Sequence, residues 1–205
     1  LSIAHHPRYI ISCSNSFITF DVVTSDLARQ VYPKVEGLMI GLELSPDNKF
    51  AAAYTNNDQT ILLNTLIGEF FIINNPLSVG EHVQGLVVLD TNLIIYGQKS
   101  WIIYDQKGNL QRKSTFEGEG KILELSMLDE LEDYSLISWT GDSASPQVCL
   151  QSYRSSIPTN PLKGHCSVII NKKHNRAFIC ETPQSFKVSS YIYKEGFWRR
   201  EREFE

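Results

Sequence analysis

The sequence predicts an all-β protein built from repeated units of four short strands. The clearest unit spans residues 42 to 73, where short apolar runs are separated by polar turns. The runs are brief and rich in Ile, Val, Phe and Tyr, which favours strands over helices. Similar units recur at a spacing of about forty residues, and this period with four strands per unit is typical of β-propeller blades.

The clearest unit can be divided into four strands and three turns. The segment Ser45–Asn48 is a tight connection, because proline presets one backbone dihedral and Asp and Asn tolerate the bend. A second turn follows at Asn56–Gln59. The pattern therefore predicts an antiparallel meander with strands at Ile40–Leu44, Phe50–Tyr54, Thr60–Asn64 and Glu69–Ile73.

The other units align with this one. In the first unit Ile3 aligns with Leu44 and Asp21 with Asn64, and in the third unit Asp105 takes the same position. The fourth unit contains an acidic loop, LDELED, and an outer segment with two prolines, SSIPTNPLK. The alignment predicts a single propeller segment with blades at approximately 1–34, 35–78, 79–115, 116–162 and 163–205.

Several residues resemble the WD-repeat family. The segment LELSPDNKFAAAYTNNDQTILLN is similar to a WD-repeat core, and Gly164-His165 is similar to the family's Gly-His pair. The repeats are degenerate, because the Trp-Asp position holds Phe20-Asp21, Leu63-Asn64 and Tyr104-Asp105. By alignment Asp58 faces Glu36-Gly37 instead of a histidine, and His165 lacks its aspartate. The array also resembles, less closely, the propellers of large NACHT and WD-repeat signalling proteins.

This resemblance implies that the five blades are part of a larger object. WD-repeat propellers typically have seven blades, and they close by letting a terminal strand complete a blade from the other end. The sequence shows no such offset. We therefore expect a segment of a seven-bladed or double propeller.

Composition and motifs exclude several classes of function. The net charge of -4 gives no general attraction to nucleic acid, and no apolar stretch is long enough to span a bilayer. FEGEGKI at 116–122 lacks the spacing of a phosphate-binding loop, and no catalytic or metal-binding motif is present. The acidic run at 129–133 lacks the spaced ligands of a calcium loop. We expect no enzyme activity, no cofactor and no metal.

The four cysteines indicate an intracellular protein. They are too few for a disulfide framework, and the chain has no Asn-x-Ser/Thr glycosylation acceptor. Cys166 and Cys180 would face each other if the turn between their strands were centred on Lys173. A shift of one residue would separate them, and in either case we favour reduced, packed thiols.

The loops at one end of the blades are the expected binding surface. They connect strand d to strand a and strand b to strand c, and they can vary without disturbing the blades. Trp101 and Tyr54 could anchor a partner, or Trp101 could pack within its blade. The candidate partner-binding residues are Glu36, Asn57, Asp58, His82, Lys99, Trp101, Glu117, Glu119, Asp142 and His165.

We therefore expect a non-catalytic scaffold within a larger cytoplasmic protein. Its expected partners are proteins, peptides or other domains of its own chain, and not nucleic acid. The alternative is a ligand-sensing or autoinhibitory propeller of a NACHT-type signalling ATPase. The resemblance implies that its catalytic domain would lie outside this segment.

Overall fold

The structure is a computed structural model, and every regular element among the residues it describes is a β-strand. It describes residues 2–5, 9–13, 15–21, 24–117, 120–127, 133–140, 147–154, 157–158, 162–164, 168–171, 175–180, 187–195 and 197–204. Within these ranges the strands form five antiparallel sheets. The predicted all-β class is confirmed.

The strands follow one another along the chain as consecutive meanders. Sheet 1 contains β1 Ser2–His5, β2 Tyr9–Cys13, β3 Phe17–Asp21 and β4 Asp26–Val31; sheet 2 contains β5 Met39–Leu44, β6 Phe50–Thr55, β7 Gln59–Asn64 and β8 Phe70–Asn74. Sheet 3 contains β9 Gly85–Val88, β10 Asn92–Tyr96, β11 Ser100–Asp105 and β12 Leu110–Thr115. Sheet 4 contains β13 Lys121–Met127, β14 Asp133–Thr140, β15 Gln147–Arg154, β16 Ile157–Pro158 and β17 Leu162–Gly164. Sheet 5 contains β18 Val168–Asn171, β19 Arg176–Cys180, β20 Val188–Lys194 and β21 Phe197–Phe204.

Sheet 2 matches the predicted meander closely. Each of its strands begins and ends within one residue of the predicted bounds. In sheet 4 the proline-bearing outer segment is divided, because β16 and β17 both pair with β15. Proline lacks the N–H that a continuous ladder needs, which accounts for such short outer strands.

The chain divides into two compact units. Unit 1 comprises residues Leu1–Thr115 and contains sheets 1 to 3, and unit 2 comprises Phe116–Glu205 and contains sheets 4 and 5. The assignment of residues 1–205 to a single propeller segment stays a prediction.

Sheet 2 is buried on both faces. In β6, Ala51 and Ala53 belong to an apolar cluster with Phe17 of sheet 1. The alternate residues Phe50 and Ala52 belong to a second cluster with residues of sheet 3. Because successive strand residues point to opposite faces, the run FAAAY supplies small side chains to both neighbours and lets the sheets approach closely.

A repeated glycine–tyrosine pair fixes the spacing of the inner strands in unit 1. Gly41 lies opposite Tyr54 in sheet 2, and Gly85 lies opposite Tyr96 in sheet 3. A Cβ added at Gly41 would lie 2.0 Å from the Tyr54 ring, and one at Gly85 would lie 2.3 Å from the Tyr96 hydroxyl. Each tyrosine therefore lies across a position that only glycine can occupy.

Unit 2 has its own core between sheets 4 and 5. Ile137 and Leu150 pack against Ala177, Ile179 and Trp198. The Trp198 ring is tilted by 58° against Tyr193 at a centroid distance of 5.3 Å. Tilted aromatic pairs of this kind are favourable, so the contact between Tyr193 and Trp198 contributes to the core of unit 2.

The register of β18 and β19 bears on the two cysteines. Val168 pairs with Ile179 and Asn171 with Arg176, which differs by one residue from the register that would place positions 166 and 180 opposite each other. Cys166 itself lies outside the described residues, as does the acidic loop at 128–132. Cys149, on β15, is buried and is not part of a disulfide.

The Ser45–Asn48 turn is held by a dense set of hydrogen bonds. Ser45 Oγ donates to Asp47 Oδ1 at 2.7 Å and accepts from the N–H of Phe50 at 3.0 Å. Lys49 donates to Asp47 through its N–H at 3.1 Å and through Nζ at 2.8 Å. The N–H of Asp47 in turn donates to Asp90 Oδ1 of sheet 3 at 2.9 Å, so the turn joins two sheets.

These contacts determine the ionisation of Asp47. Burial alone would raise the pKa of this carboxyl, but the hydrogen bonds from Lys49 and Ser45 outweigh burial and lower the pKa from 3.8 to about 2. A pKa that is lower in the folded chain than in the unfolded chain stabilises the fold above the unfolded value. The contribution is lost as the pH falls toward the folded value.

We predict that Asp47→Asn removes part of the acid sensitivity of unit 1. Between pH 4 and pH 2 the wild type should lose on the order of 1–2 kcal/mol of unfolding free energy that the variant does not lose. Urea unfolding at a series of pH values measures this difference. Glu69→Gln, which changes an exposed carboxylate before β8, should keep the wild-type slope; an identical slope in the Asp47 variant would contradict the prediction.

Candidate interaction surface at the loop face of unit 1

Four loop segments meet at one end of sheets 2 and 3. They are residues 34–38 before β5, 56–59 from the turn after β6 to the start of β7, 79–84 before β9, and 97–100 from the turn after β10 to the start of β11. An antiparallel meander brings the start of its first strand and the turn between its second and third strands to the same end. We call these segments together the loop face.

Within sheet 2 the segment before β5 is bonded to the turn after β6. The N–H of Glu36 donates to Gln59 Oε1 at 2.6 Å, and the N–H of Leu38 donates to Asn56 Oδ1 at 2.8 Å. The N–H of Asn56 donates back to the Leu38 carbonyl at 2.9 Å. Side-chain amides thus satisfy backbone donors that a short loop leaves unpaired.

Sheet 3 uses a carboxylate for the same purpose. Glu81 Oε1 accepts the N–H groups of Lys99 at 2.5 Å and Ser100 at 2.9 Å, and Oε2 accepts from Ser100 Oγ at 2.6 Å. Hydrogen bonds to an ionised acceptor are stronger than neutral ones. The loop before β9 is therefore fixed to the turn between β10 and β11.

A second set of contacts links sheet 2 to the loop that enters sheet 3. Asp58 Oδ2 lies 2.7 Å from His82 Nδ1, and Asp58 Oδ1 accepts the N–H of Val83 at 2.9 Å. Tyr54 donates its hydroxyl proton to the Gln84 carbonyl at 2.9 Å. Burial raises the pKa of Tyr54, with a smaller contribution from Glu43. Three consecutive residues of the loop are thereby bonded to sheet 2.

These contacts correct the prediction for Asp58. The alignment gave this aspartate no histidine and placed it on the exposed surface, whereas it is buried and contacts His82. The alignment considered only the loop of the same unit, but the histidine is supplied by the loop of the next one. Because both carboxylate oxygens have partners, the contacts of Asp58 are structural.

Trp101 is also buried, so its expected exposure is wrong. It is 1% exposed and belongs to β11, where it pairs with Ser114 of β12 and Tyr96 of β10. The sequence allowed Trp101 either to anchor a partner or to pack within its blade. Its buried position is consistent with packing within the blade. Tyr54 is half-buried, and its hydroxyl contacts the Gln84 carbonyl.

The remaining polar candidates of unit 1 are accessible. Glu36, Asn57, His82 and Lys99 are exposed, and the His82 side chain is 81% exposed. A carboxylate only accepts hydrogen bonds, so the contact with Asp58 orients His82 with Nδ1 inward and Nε2 outward. Glu117 is exposed in unit 2, whereas Glu119, Asp142 and His165 lie outside the described residues.

Sequence reasoning missed three apolar residues at or beside the loop face. Leu38, Ile40 and Val79 are exposed by 65%, 52% and 107%. The ladder of β5 and β6 passes from Met39 to Gly41, so Ile40 is the extra residue of a β-bulge. A bulge of one residue cannot be read from the apolar run that predicted a strand at Ile40–Leu44.

Unit 2 contains a separate cavity of about 260 Å³ on sheet 5. It is lined by Arg176, Phe178, Ser190, Glu201, Arg202 and Phe204. Arg176 binds Glu201 through two hydrogen bonds of 2.9 Å, and this pairing lowers the pKa of Glu201 and raises that of Arg176. The charges of Arg176 and Glu201 at the cavity wall therefore partly neutralise each other.

Two further features of the part of the chain that the structure describes bear on its function. No group of three or more His, Cys, Asp and Glu side chains there could hold a metal ion. Among the same residues there is no helix with the length and apolar character needed to cross a membrane.

Comparison with solved structures identifies the fold. The β-propeller domain of Myceliophteria thermophila Cps50 (Swd1) matches with a TM-score of 0.62 and 12% identity, over 99% of this chain and 72% of that one. Kuenenia stuttgartiensis hydrazine synthase matches with a TM-score of 0.60 and 12% identity, over 92% of this chain and 54% of that one. This likeness establishes the fold alone.

The chain is therefore an all-β protein of the β-propeller fold, as the repeat predicted. No family model and no curated protein matches the sequence. The resemblances to WD-repeat and to NACHT signalling proteins remain predictions from the motifs.

We predict that Asp58→Ala loosens the loop before β9. The change leaves the buried N–H of Val83 without its acceptor, which should cost about 1–3 kcal/mol of unfolding free energy. Amide hydrogen exchange at Val83 and chemical unfolding measure the two effects. Asn57→Ala, on the exposed neighbouring residue, should change neither, and equal stability of the two variants would refute the structural role of Asp58.

Proposed function

We propose that this chain is a non-catalytic protein-interaction module, and that it belongs to a larger intracellular protein. The loop face is its partner-binding surface. There, apolar and polar side chains are exposed together on loops that hydrogen bonds hold in place.

The observation that carries the proposal is the combination of exposure and order at this end of unit 1. Leu38 and Val79 present apolar side chains, while Glu36, His82 and Lys99 present polar ones beside them. Protein interfaces combine an apolar centre with a polar rim in this way. The surface is mixed in charge, which favours a protein or peptide partner over nucleic acid.

The hydrogen bonds reduce the conformational cost of binding. The backbones of Glu36, Leu38 and Lys99 donate to side chains of neighbouring segments, so these loops are ordered before a partner arrives. A preorganised surface loses less conformational entropy on association than a flexible one. The loops can therefore vary in side chain while the sheets keep their geometry.

The fold supports an interaction module as well. Propeller loops carry function on a rigid scaffold, and the candidates Glu36, Asn57, His82 and Lys99 lie on such loops. The larger protein is proposed from the WD-repeat resemblance. The alternative role, a sensor of a NACHT-type ATPase, stays a prediction because it depends on sequence beyond this segment.

A loop-face variant tests the proposal. Combining Leu38→Asp, Glu36→Lys and Lys99→Glu reverses two individual charges on the surface and replaces one of its exposed apolar side chains with a carboxylate. The full-length protein should then lose the partners that the wild type recovers in quantitative affinity capture, by roughly tenfold or more for a loss of about 1.4 kcal/mol. Binding of each recovered partner to the purified protein then tests whether the interaction is direct.

The matched control is Leu66→Asp. The exposed fraction of Leu66, 63%, is similar to that of Leu38. Leu66 lies in the turn between β7 and β8, at the opposite end of sheet 2. Partner recovery by this control should equal that of the wild type. If the loop-face variant and the control recover every partner alike, the loop face is not the interaction surface.

A further inference from the structure

The outer strands of the five sheets differ in how they are protected against pairing with another chain. An outer strand presents unpaired N–H and C=O groups, and proteins block such edges with bulges, charges or very short strands. In β4, β12 and β21 the pairing with the neighbouring strand shifts register. These three strands also contain charged residues, including five consecutive ones at 199–203 in β21.

Sheet 4 is protected in another way. Its outer position is shared by β16 and β17, which are only two and three residues long. Strands this short offer few backbone groups to another chain. Four of the five sheets therefore have blocked outer strands within the part of the chain that the structure describes.

The outer strand of sheet 2 is the exception. β8 has the sequence FFIIN, which contains no charge and no proline, and its five residues pair with β7 in an unbroken register. Phe70 and Phe71 are 37% and 40% exposed. No described strand pairs with β8 on its outer side. The edge is thus regular, uncharged and accessible.

The direction of the backbone groups follows from the ladder. The N–H of Asn64 donates to the Glu69 carbonyl at 2.8 Å, so these opposed residues form a hydrogen-bonded pair. Hydrogen-bonded and non-hydrogen-bonded pairs alternate along an antiparallel ladder. Phe71 and Ile73 therefore direct their N–H and C=O groups toward β7, and Phe70, Ile72 and Asn74 direct theirs outward.

The side chains define the space beside this edge. Ile73 is buried in the cluster between sheets 2 and 3, and Phe71 lies on the same face. Gly108, in the turn before β12, lies beside Phe71, because a Cβ added there would be 3.5 Å from the phenylalanine Cβ. Phe70 is exposed on the opposite face. An added strand would contact one phenylalanine on each face.

We propose that β8 binds an extended segment of a partner protein as an additional β-strand. The outward groups of Phe70, Ile72 and Asn74 would bond to its main chain, and apolar side chains at alternate positions would pack on Phe70 and Phe71. Such strand addition takes its affinity from main-chain hydrogen bonds and its specificity from alternate side chains. This surface is separate from the loop face.

A peptide segment fits this edge better than a second copy of the chain. Stable protein interfaces bury about 800 Å² on each partner, far more than a five-residue edge can provide. The turn containing Gly108 also bounds the strand on the sheet 3 side. A single extended segment can satisfy the outward groups without needing a larger interface.

Amide hydrogen exchange with a synthetic peptide tests the proposal. The probe is a short peptide of alternating threonine and isoleucine with a lysine at each end, and the control probe is the same peptide N-methylated at every residue. Binding of the first should slow exchange at Phe70, Ile72 and Asn74 by roughly tenfold or more, with little change at Phe71 and Ile73. The N-methylated probe should have no effect.

Two variants of the protein complete the test. Phe70→Lys adds a charge to the edge and should weaken probe binding by roughly tenfold, measured by fluorescence anisotropy. Leu27→Lys makes the same kind of change at an exposed apolar residue of β4 and should leave binding at the wild-type level. Ile72→Pro removes an outward donor and should act like Phe70→Lys.

Several results would overturn the proposal. No slowing of exchange in the wild type, or equal binding of the N-methylated probe, would show that the backbone of β8 does not form the bonds. Equal effects of the Phe70 and Leu27 variants would show that the probe binds elsewhere. Protection of Phe70 and Ile72 that rises with protein concentration, without probe, would assign the edge to a second copy.

Discussion

The structure of unit 1 depends on the burial of sheet 2 on both faces. Ala51 and Ala53 of β6 face the cluster shared with sheet 1, while Phe50 and Ala52 face the cluster shared with sheet 3. Polar side chains on either face of such a sheet are buried, and a buried polar group is costly unless it is hydrogen-bonded. Apolar packing therefore holds the sheets together. The polar contacts between neighbouring sheets lie at the ends of the strands.

At both ends of the sheets a carboxylate accepts hydrogen bonds from the neighbouring sheet. At the loop face Asp58 bonds to residues 82 and 83, and at the other end Asp90 accepts the N–H of Asp47. Each carboxylate connects a turn of one sheet with a segment of the neighbouring sheet. The loops are thus ordered by bonds that leave side chains such as His82 and Lys99 exposed, and this is why a rigid scaffold can present a variable surface.

Sequence reasoning predicted the strands well and the site less well. The strands of sheet 2 lie within one residue of prediction, because apolar runs and turn residues are local signals. Asp58 and Trp101 were misplaced, since burial depends on the neighbouring sheet, and the partner His82 comes from the next repeat. A bulge such as that at Ile40 leaves no mark in an apolar run.

Residue-resolved native-state hydrogen exchange of unit 1 tests whether the burial of sheet 2 on both faces holds the unit together. If burial on both faces of sheet 2 holds the unit together, the ladder amides of β6 and β7 should exchange only through unfolding of the whole unit, with a common opening free energy. That free energy should equal the one obtained from chemical unfolding of the unit. Faster, independent opening of β6 and β7 while sheets 1 and 3 stay protected would contradict the central role of sheet 2.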